Sequence, residues 1–265
     1  MRLYWEVGRR ALQRQLAYRT ENLAGLAANG FFGYLRAALL LAMYRTATTS
    51  TVAGYDAERA VSYAWITQAL IMIIALWGWW DVEETIRTGD VVADLAKPFS
   101  YVGFWLARDL GRAAYYVVFR ALPILILGQL LFGLHWPSSP FGWLAFGLSL
   151  VLAVVVSFGW RLLINLSAFW TTDARGLGSL VSAAVMFLGG FVIPVPFFPD
   201  WLQRIVALLP FGAFVQIPAD LFVERVQGVA AVLLLGQQVA WAVGLLALSQ
   251  VVTLAATRRV VIQGG

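Results

Sequence analysis

Apolar residues run through this chain in blocks of about 20, the length a helix needs to cross the hydrocarbon core of a bilayer, and polar residues collect between them. Six spans are expected, at about 22–43, 61–80, 113–134, 143–169, 180–193 and 229–255. The second ends in WGWW, an aromatic cluster that suits the water boundary. The third carries Pro123 as a kink. Residues 44–60, with Asp56, Glu58 and Arg59, form an outer loop, HWPSSPFG an outer turn and TTDARGLG an inner loop.

Two stretches break the pattern. Residues 81–100, DVEETIRTGDVVADLAKPFS, carry acids and bases that cannot sit in hydrocarbon, where each ionised side chain costs a few kcal/mol or more. It also carries apolar residues at Val82, Ile86, Val91, Val92 and Leu95. Gly89 and Pro98 break it, predicting short helices over 82–88 and 91–96. Glu83, Glu84 and Arg87 fall on adjacent helical turns. The second stretch, 189–222, has prolines at 194, 196, 199, 210 and 218, and the apolar pieces between them are too short to span. It predicts two re-entrant or interfacial helices, at about 199–209 and 211–223.

Residues 2–19 repeat at helical spacing. Tyr4, Val7, Gly8, Ala11, Leu12 and Leu16 fall on one side, and Arg9, Arg10, Gln13 and Arg14 on the other. This predicts an amphipathic helix lying on the membrane face, with its polar side turned to water or a partner. Residues 1–20 hold five arginines and no apolar core, so no cleavable signal peptide is expected. With the N-terminus inside, thirteen of the 19 basic residues fall at or near the inner face, which favours cytoplasmic termini and six spans. Arg36, Arg120 and Arg161 fall inside spans. Arg36 is expected to snorkel to the outer interface, and the three together either pair within the structure or snorkel, or else line a path for an anionic head group.

Composition agrees: 61% of the residues are hydrophobic and 12% charged, against about half and about a quarter in soluble domains. The fold class is an all-α polytopic membrane protein, read as one domain over 1–265. The pI near 9.8 reflects arginines in short loops beside spans, so it reads as topology, and no nucleic-acid partner is expected. The chain has no cysteine, which excludes disulfides and thiolate metal sites. It has no phosphate-binding GxxxxGK[ST] loop, no HExxH and no GxSxG. His135, the single histidine, reads as a solvated loop residue, and Asp173 as a boundary residue beside Arg175. No catalytic, cofactor or metal site is expected.

Three segments resemble the membrane-spanning permeases of ABC exporters of the ABC-2 type. The first is EETIRTGDVVADLAKP, with Ile86-Arg87-Thr88-Gly89 and Leu95-Ala96-Lys97-Pro98. The second is AFWTTDARGL, and the third runs from Phe187 to Phe222 with its series of Ile-Pro, Phe-Pro, Leu-Pro-Phe and Pro-Ala-Asp pieces. The loop after the fourth span is shorter than in that family's pattern. The resemblance implies a half-transporter in the bacterial cell membrane. A second permease subunit, identical or homologous, would pair with it among the membrane lipids. Separate cytoplasmic ABC ATPase subunits would bind ATP and Mg. It further implies that 1–20 is a connecting helix, that 81–100 is a coupling segment, and that 195–223 forms the outer gate.

Site residues follow from that resemblance. Glu83, Glu84, Ile86 and Arg87, with Arg9 and Arg10, would meet the ATPase. Pro194, Pro196, Pro199, Trp201, Pro210, Phe211 and Pro218 would shape the gate. An aromatic-rich wall suits an apolar or amphipathic cargo such as a drug, lipid or natural product. Gln68, Gln129, Asn165 and Gln216 are candidate polar spots on its path, or else bonds between helices. Two other classes stay open at this point: an integral membrane enzyme acting on lipid-linked substrates, and a passive channel or scaffold.

Overall fold

The computed structural model describes residues 2–16, 19–46, 49–75, 79–171 and 173–263, with side chains described for all of these except 19–22 and 259–263. Trp77 of the aromatic cluster and Thr172 of the inner loop lie outside the described residues, as do the side chains of Arg19 and Arg259. Among the described residues the fold is all-helical, apart from an isolated bridge between Val52 and Tyr55.

The helices are α1 (Arg2–Gln15), α2 (Arg19–Thr46), α3 (Ala57–Ile73), α4 (Asp81–Thr88), α5 (Val91–Leu95), α6 (Tyr101–Tyr116), α7 (Leu122–Phe132), α8 (Pro140–Leu166), α9 (Ala168–Thr171), α10 (Arg175–Leu188), α11 (Asp200–Ala207), α12 (Gln216–Phe222) and α13 (Gly228–Gln263). Among the described residues four helical columns are long and apolar enough to cross a membrane: Leu23–Thr46, Tyr101–Phe132, Pro140–Thr171 and Gly228–Arg258. The other two expected spans correspond to shorter helices. The 17 residues of α3 and the 14 of α10 reach only about 26 and 21 Å, against a hydrocarbon core of about 30 Å. Among the longer helices α3 is the most enclosed, buried along nearly its whole length between α2, α7 and α12.

Helices α6 and α7 form one column joined by a π-turn at Val117–Ala121, where the Leu122 N–H donates to the Val117 carbonyl. Pro123 explains it. Its ring crowds the carbonyl four residues back, and the wider turn absorbs that clash. Helix α1 packs along α6 in the same direction. Tyr4 lies at Ser100, whose N–H donates to the Tyr4 hydroxyl (3.3 Å), and Gln15 accepts from the Tyr116 hydroxyl (3.3 Å). Part of the apolar face expected to lie on the membrane therefore meets α6, while Leu16 of that face stays exposed, as do Leu3 and Trp5. The backbones touch at Gly8 and Gly111, where a Cβ on Gly111 would stand 2.0 Å from the Gly8 carbonyl oxygen.

Apolar side chains gather in two cores. The larger runs through α3, α7, α8, α12 and α13. The smaller sits under α4 and α5 and joins Trp79, Val82, Val91, Tyr101, Trp105, Phe158 and Leu162. The polar end of α3 at Ala57 and its far end at Ile73 mark the two ends of the bundle. Residues 52–56, the 133–139 loop and α12 lie at the first, and α4, α5 and the start of α10 at the second.

Candidate functional site

Helix α4 begins with Asp81, Glu83 and Glu84 and ends with Arg87, a distribution that complements its dipole. Gly89, at φ +85°, turns the chain out of α4 in the left-handed region that glycine adopts at no steric cost. Val82 and Ile86 face the smaller core. On the opposite side, the Glu84 and Arg87 side chains are 60% and 51% exposed. Helix α4 is therefore a short amphipathic bar with one face fixed to the protein and one charged face presented.

The fixed face is held by polar bonds as well as packing. Asp81 pairs with Arg108 of α6 at 2.6 Å, and that guanidinium lies 4.7 Å over the Trp105 ring. The Glu83 carboxylate, fully buried, accepts from Arg175 at the start of α10 at 3.2 Å. The Glu83 N–H donates to Asn165 Oδ1 (2.9 Å), and Asn165 Nδ2 donates to the Trp79 carbonyl (3.0 Å). Asn165, on α8, thus spans the entry to α4 from both sides.

Behind these lies a buried ionic hub. Asp109 of α6 accepts from Arg112 Nε at 2.8 Å and from Arg161 Nη2 of α8 at 2.7 Å. Arg112 also donates to the carbonyls of Met72 (2.6 Å) and Ile73 (2.8 Å) at the end of α3. Arg161 donates to Ser157 Oγ (3.1 Å), and Ser157 donates to the Ile74 carbonyl. Asn165 Nδ2 also donates to the Arg161 carbonyl (2.9 Å), so α3, α6 and α8 share one network with the root of residues 81–100, the foot of the bundle.

A second network seals the other end. Gln216 of α12 accepts from Tyr63 of α3 (2.8 Å) and from the Val195 N–H (2.8 Å), and it donates to the Tyr55 hydroxyl (2.8 Å). Tyr55 donates to Asp220, which Arg225 grips with Nε at 2.7 Å and Nη2 at 2.5 Å. The Gln216 N–H reaches the Gly189 carbonyl (3.1 Å), tying α12 to the end of α10.

The expected site residues divide as follows. Glu84 and Arg87 are exposed, as a contact surface requires, and Ile86 is half-buried in the chain's own core. Glu83 departs from the expected surface: burial and Arg175 turn its carboxylate inward. Arg9, paired with Glu6 at 2.9 Å, and Arg10 are exposed on α1, whose start lies beside the foot at Ser100. In the proline-rich stretch, Pro194 precedes a 3-10 turn that contains Pro196, Pro199 precedes α11, and Trp201 is 63% exposed. Pro210, Phe211 and Pro218 are buried, with Phe211 against Trp160. The helices here are shorter than the expected 199–209 and 211–223, because a 3-10 turn at Pro210–Ala213 intervenes.

Of the four polar spots, Asn165 and Gln216 are committed as above. Gln129 accepts from the Leu134 N–H (2.9 Å) and Trp136 Nε1 (2.6 Å), and Gln68 is buried. Arg161 is held by Asp109. Arg120 is buried beside Gly25, where a side chain on α2 would overlap its guanidinium. Arg36 does not snorkel outward: it donates to Thr67 Oγ1 (3.0 Å) and to the carbonyls of Phe191 and Val192. His135 is half-buried, not solvated. Its N–H donates to Ser62 Oγ (2.7 Å), and its ring lies between Glu58 (3.6 Å) and Glu224 (3.7 Å). Asp173 accepts from the Arg175 N–H (2.7 Å) at the start of α10, a boundary role as expected.

Sequence reasoning missed Asp109, Tyr55, Tyr63 and Asp220 as organising residues. A signal was present for the first: Asp109 and Arg112 stand three apart, the spacing at which opposite charges meet on one helix face. A family model described as ABC-2 family transporter protein matches residues 32–264. No curated protein matches the chain.

Proposed function

The chain belongs to the ABC-2 transporter family, and from that premise we propose that it is the permease subunit of an ATP-driven exporter, driven through α4 by separate ATPase subunits. Members of the family are membrane components of transporters, not catalytic enzymes, and the apolar columns make this a multi-pass membrane protein. In the proposed complex two permeases, identical or homologous, pair in the bacterial plasma membrane with their termini in the cytoplasm. The ATPase subunits bind ATP and Mg. The cargo is apolar or amphipathic and moves outward.

One observation carries this reading: a single short helix presents Glu84 and Arg87 outward while its opposite face is bonded to three other helices. A partner gripping the exposed face cannot slide α4 without displacing α6 through Asp81–Arg108, α8 through Asn165 and α10 through Glu83–Arg175. Helix α10 leads directly to the 189–195 segment, which Gln216 ties to α12. A push at the foot then reaches the far end through packed, bonded elements, the rigid-body form of coupling. The segment at 195–223 serves as the outer gate, closed by the Tyr55–Asp220–Arg225 bonds.

Charge reversal tests the contact. Glu84→Arg combined with Arg87→Glu should leave insertion unchanged at a small cost in stability: both side chains are exposed, and the buried Glu83 carboxylate keeps Arg175 when it loses Arg87 (3.9 Å). The hold on the ATPase should weaken by about tenfold or more. Transport and permease-stimulated ATP hydrolysis should fall together in vesicles. Normal transport by the double variant would remove α4 as the coupling surface.

A further inference from the structure

Arg36 sits in α2 ten residues before Thr46, about 15 Å along the axis from the end of the column. A guanidinium has five N–H donors. Three neutral acceptors lie within reach here: Thr67 Oγ1 and the carbonyls of Phe191 and Val192. The Phe191 ring covers one face at 4.8 Å. Among the described residues no carboxylate pairs with Arg36, in contrast to Arg161, which has Asp109. A cation at this depth in an apolar column is costly unless an anion meets it.

Arg36 also lines a cleft of about 710 Å³ between the outer half of α2 and the 192–197 segment. The walls are Leu39, Leu40, Met43, Ile193 and Phe197, with Arg36 the one charged group among the described lining residues. A volume in the range of about 300–1,000 Å³, mostly apolar with a single fixed charge, is the usual design of a small-molecule site. The guanidinium fork matches the two oxygens of a carboxylate or similar anion. We infer that this cleft binds a drug-sized amphipathic anion, its acid group on Arg36 and its apolar body along Leu39, Met43 and Phe197. A neutral or cationic ligand leaves the guanidinium uncompensated and is disfavoured. That this ligand is the exported cargo rests on the permease reading; that it binds does not.

The test uses the full chain alone in phosphatidylcholine nanodiscs, with radiolabelled dodecanoate as the probe. Saturable binding is expected, displaced by unlabelled dodecanoate or dodecyl sulfate and not by dodecanol or dodecyltrimethylammonium. Arg36→Gln should weaken binding at least tenfold and Arg36→Lys less. Leu39→Trp, which fills the cleft at an exposed position and leaves Arg36 in place, should also abolish it. Equal binding by wild type and both Arg36→Gln and Leu39→Trp overturns the proposal, as does competition by dodecanol equal to that by dodecanoate. Displacement by anionic phospholipid added to the nanodisc would assign the cleft to a membrane lipid and overturn it as well. Because no ATPase is present, failure here leaves the permease reading standing. Failure of ATPase coupling, in turn, leaves the cleft standing.

Discussion

Asp109→Leu should be among the most damaging single changes in this chain. Asp109 is fully buried and is the anion on which both Arg112 and Arg161 close. Removing it leaves two guanidinium groups facing each other with no counter-charge. Breaking a buried ion pair from one side costs about 3–5 kcal/mol, a large part of a typical folding margin of about 5–15 kcal/mol. The purified yield of folded protein should drop sharply, and the apparent melting point in detergent should fall. The diagnostic comparison is the double variant Asp109→Leu, Arg161→Leu. Taking out one unpaired cation should recover part of the loss. Equal stability of wild type and the Asp109→Leu variant would show that the hub is not a structural anchor.

Gly111→Leu should release α1 from α6. A Cβ there would lie 2.0 Å from the Gly8 carbonyl oxygen and 2.7 Å from its carbonyl carbon, so it meets backbone that cannot rotate away. Overpacking of this kind costs about 1–3 kcal/mol, and α6 is the helix against which α1 packs most extensively. Arg9, Arg10 and Arg14 are exposed trypsin sites on α1. With the helix held down, cleavage is slow. In the variant it should accelerate by about tenfold or more, since each 1.4 kcal/mol of opening is a factor of about ten in the exposed population. Gly111→Ala should act in the same direction, and unchanged cleavage in both would contradict the packing.

The long elements were legible because their signal is strong. Blocks of apolar residues of spanning length give helices whatever their neighbours, and three of the four long columns lie where the pattern puts them; the column from Tyr101 begins well before the expected 113, because Arg108, Asp109 and Arg112 read as a span boundary, whereas in the fold they pair within the bundle. The foot was legible for a different reason. Charges at Asp81, Glu83, Glu84 and Arg87 exclude it from hydrocarbon, and Gly89 breaks it where the structure shows a left-handed residue. What a linear pattern does not reveal is which neighbour a face meets. The amphipathic side of α1 looked like a membrane anchor because Tyr4, Val7 and Leu12 suit lipid and protein alike. The close approach at Gly8 and Gly111 depends on two glycines about a hundred residues apart.

Charges inside helices were the other blind point. Arg36 and Arg161 look equivalent in the sequence, yet one meets carbonyls beside an open cleft and the other meets Asp109. Glu83 and Glu84 are adjacent, yet the helical turn buries the first and exposes the second. Long-range partners decide these cases: Arg175 lies 92 residues from Glu83, and Asp220 lies 165 from Tyr55. No local spacing carries that information.

The chain has no cysteine, so a single one introduced by Glu84→Cys is unique. In the assembled, ATP-hydrolysing complex, a short thiol-reactive crosslinker should join this variant's α4 to the ATPase subunit, and a membrane-impermeant thiol reagent applied outside intact cells should leave the introduced thiol unlabelled. Labelling from outside, or a working complex in which that thiol finds no neighbour to join, would contradict the role assigned to this helix.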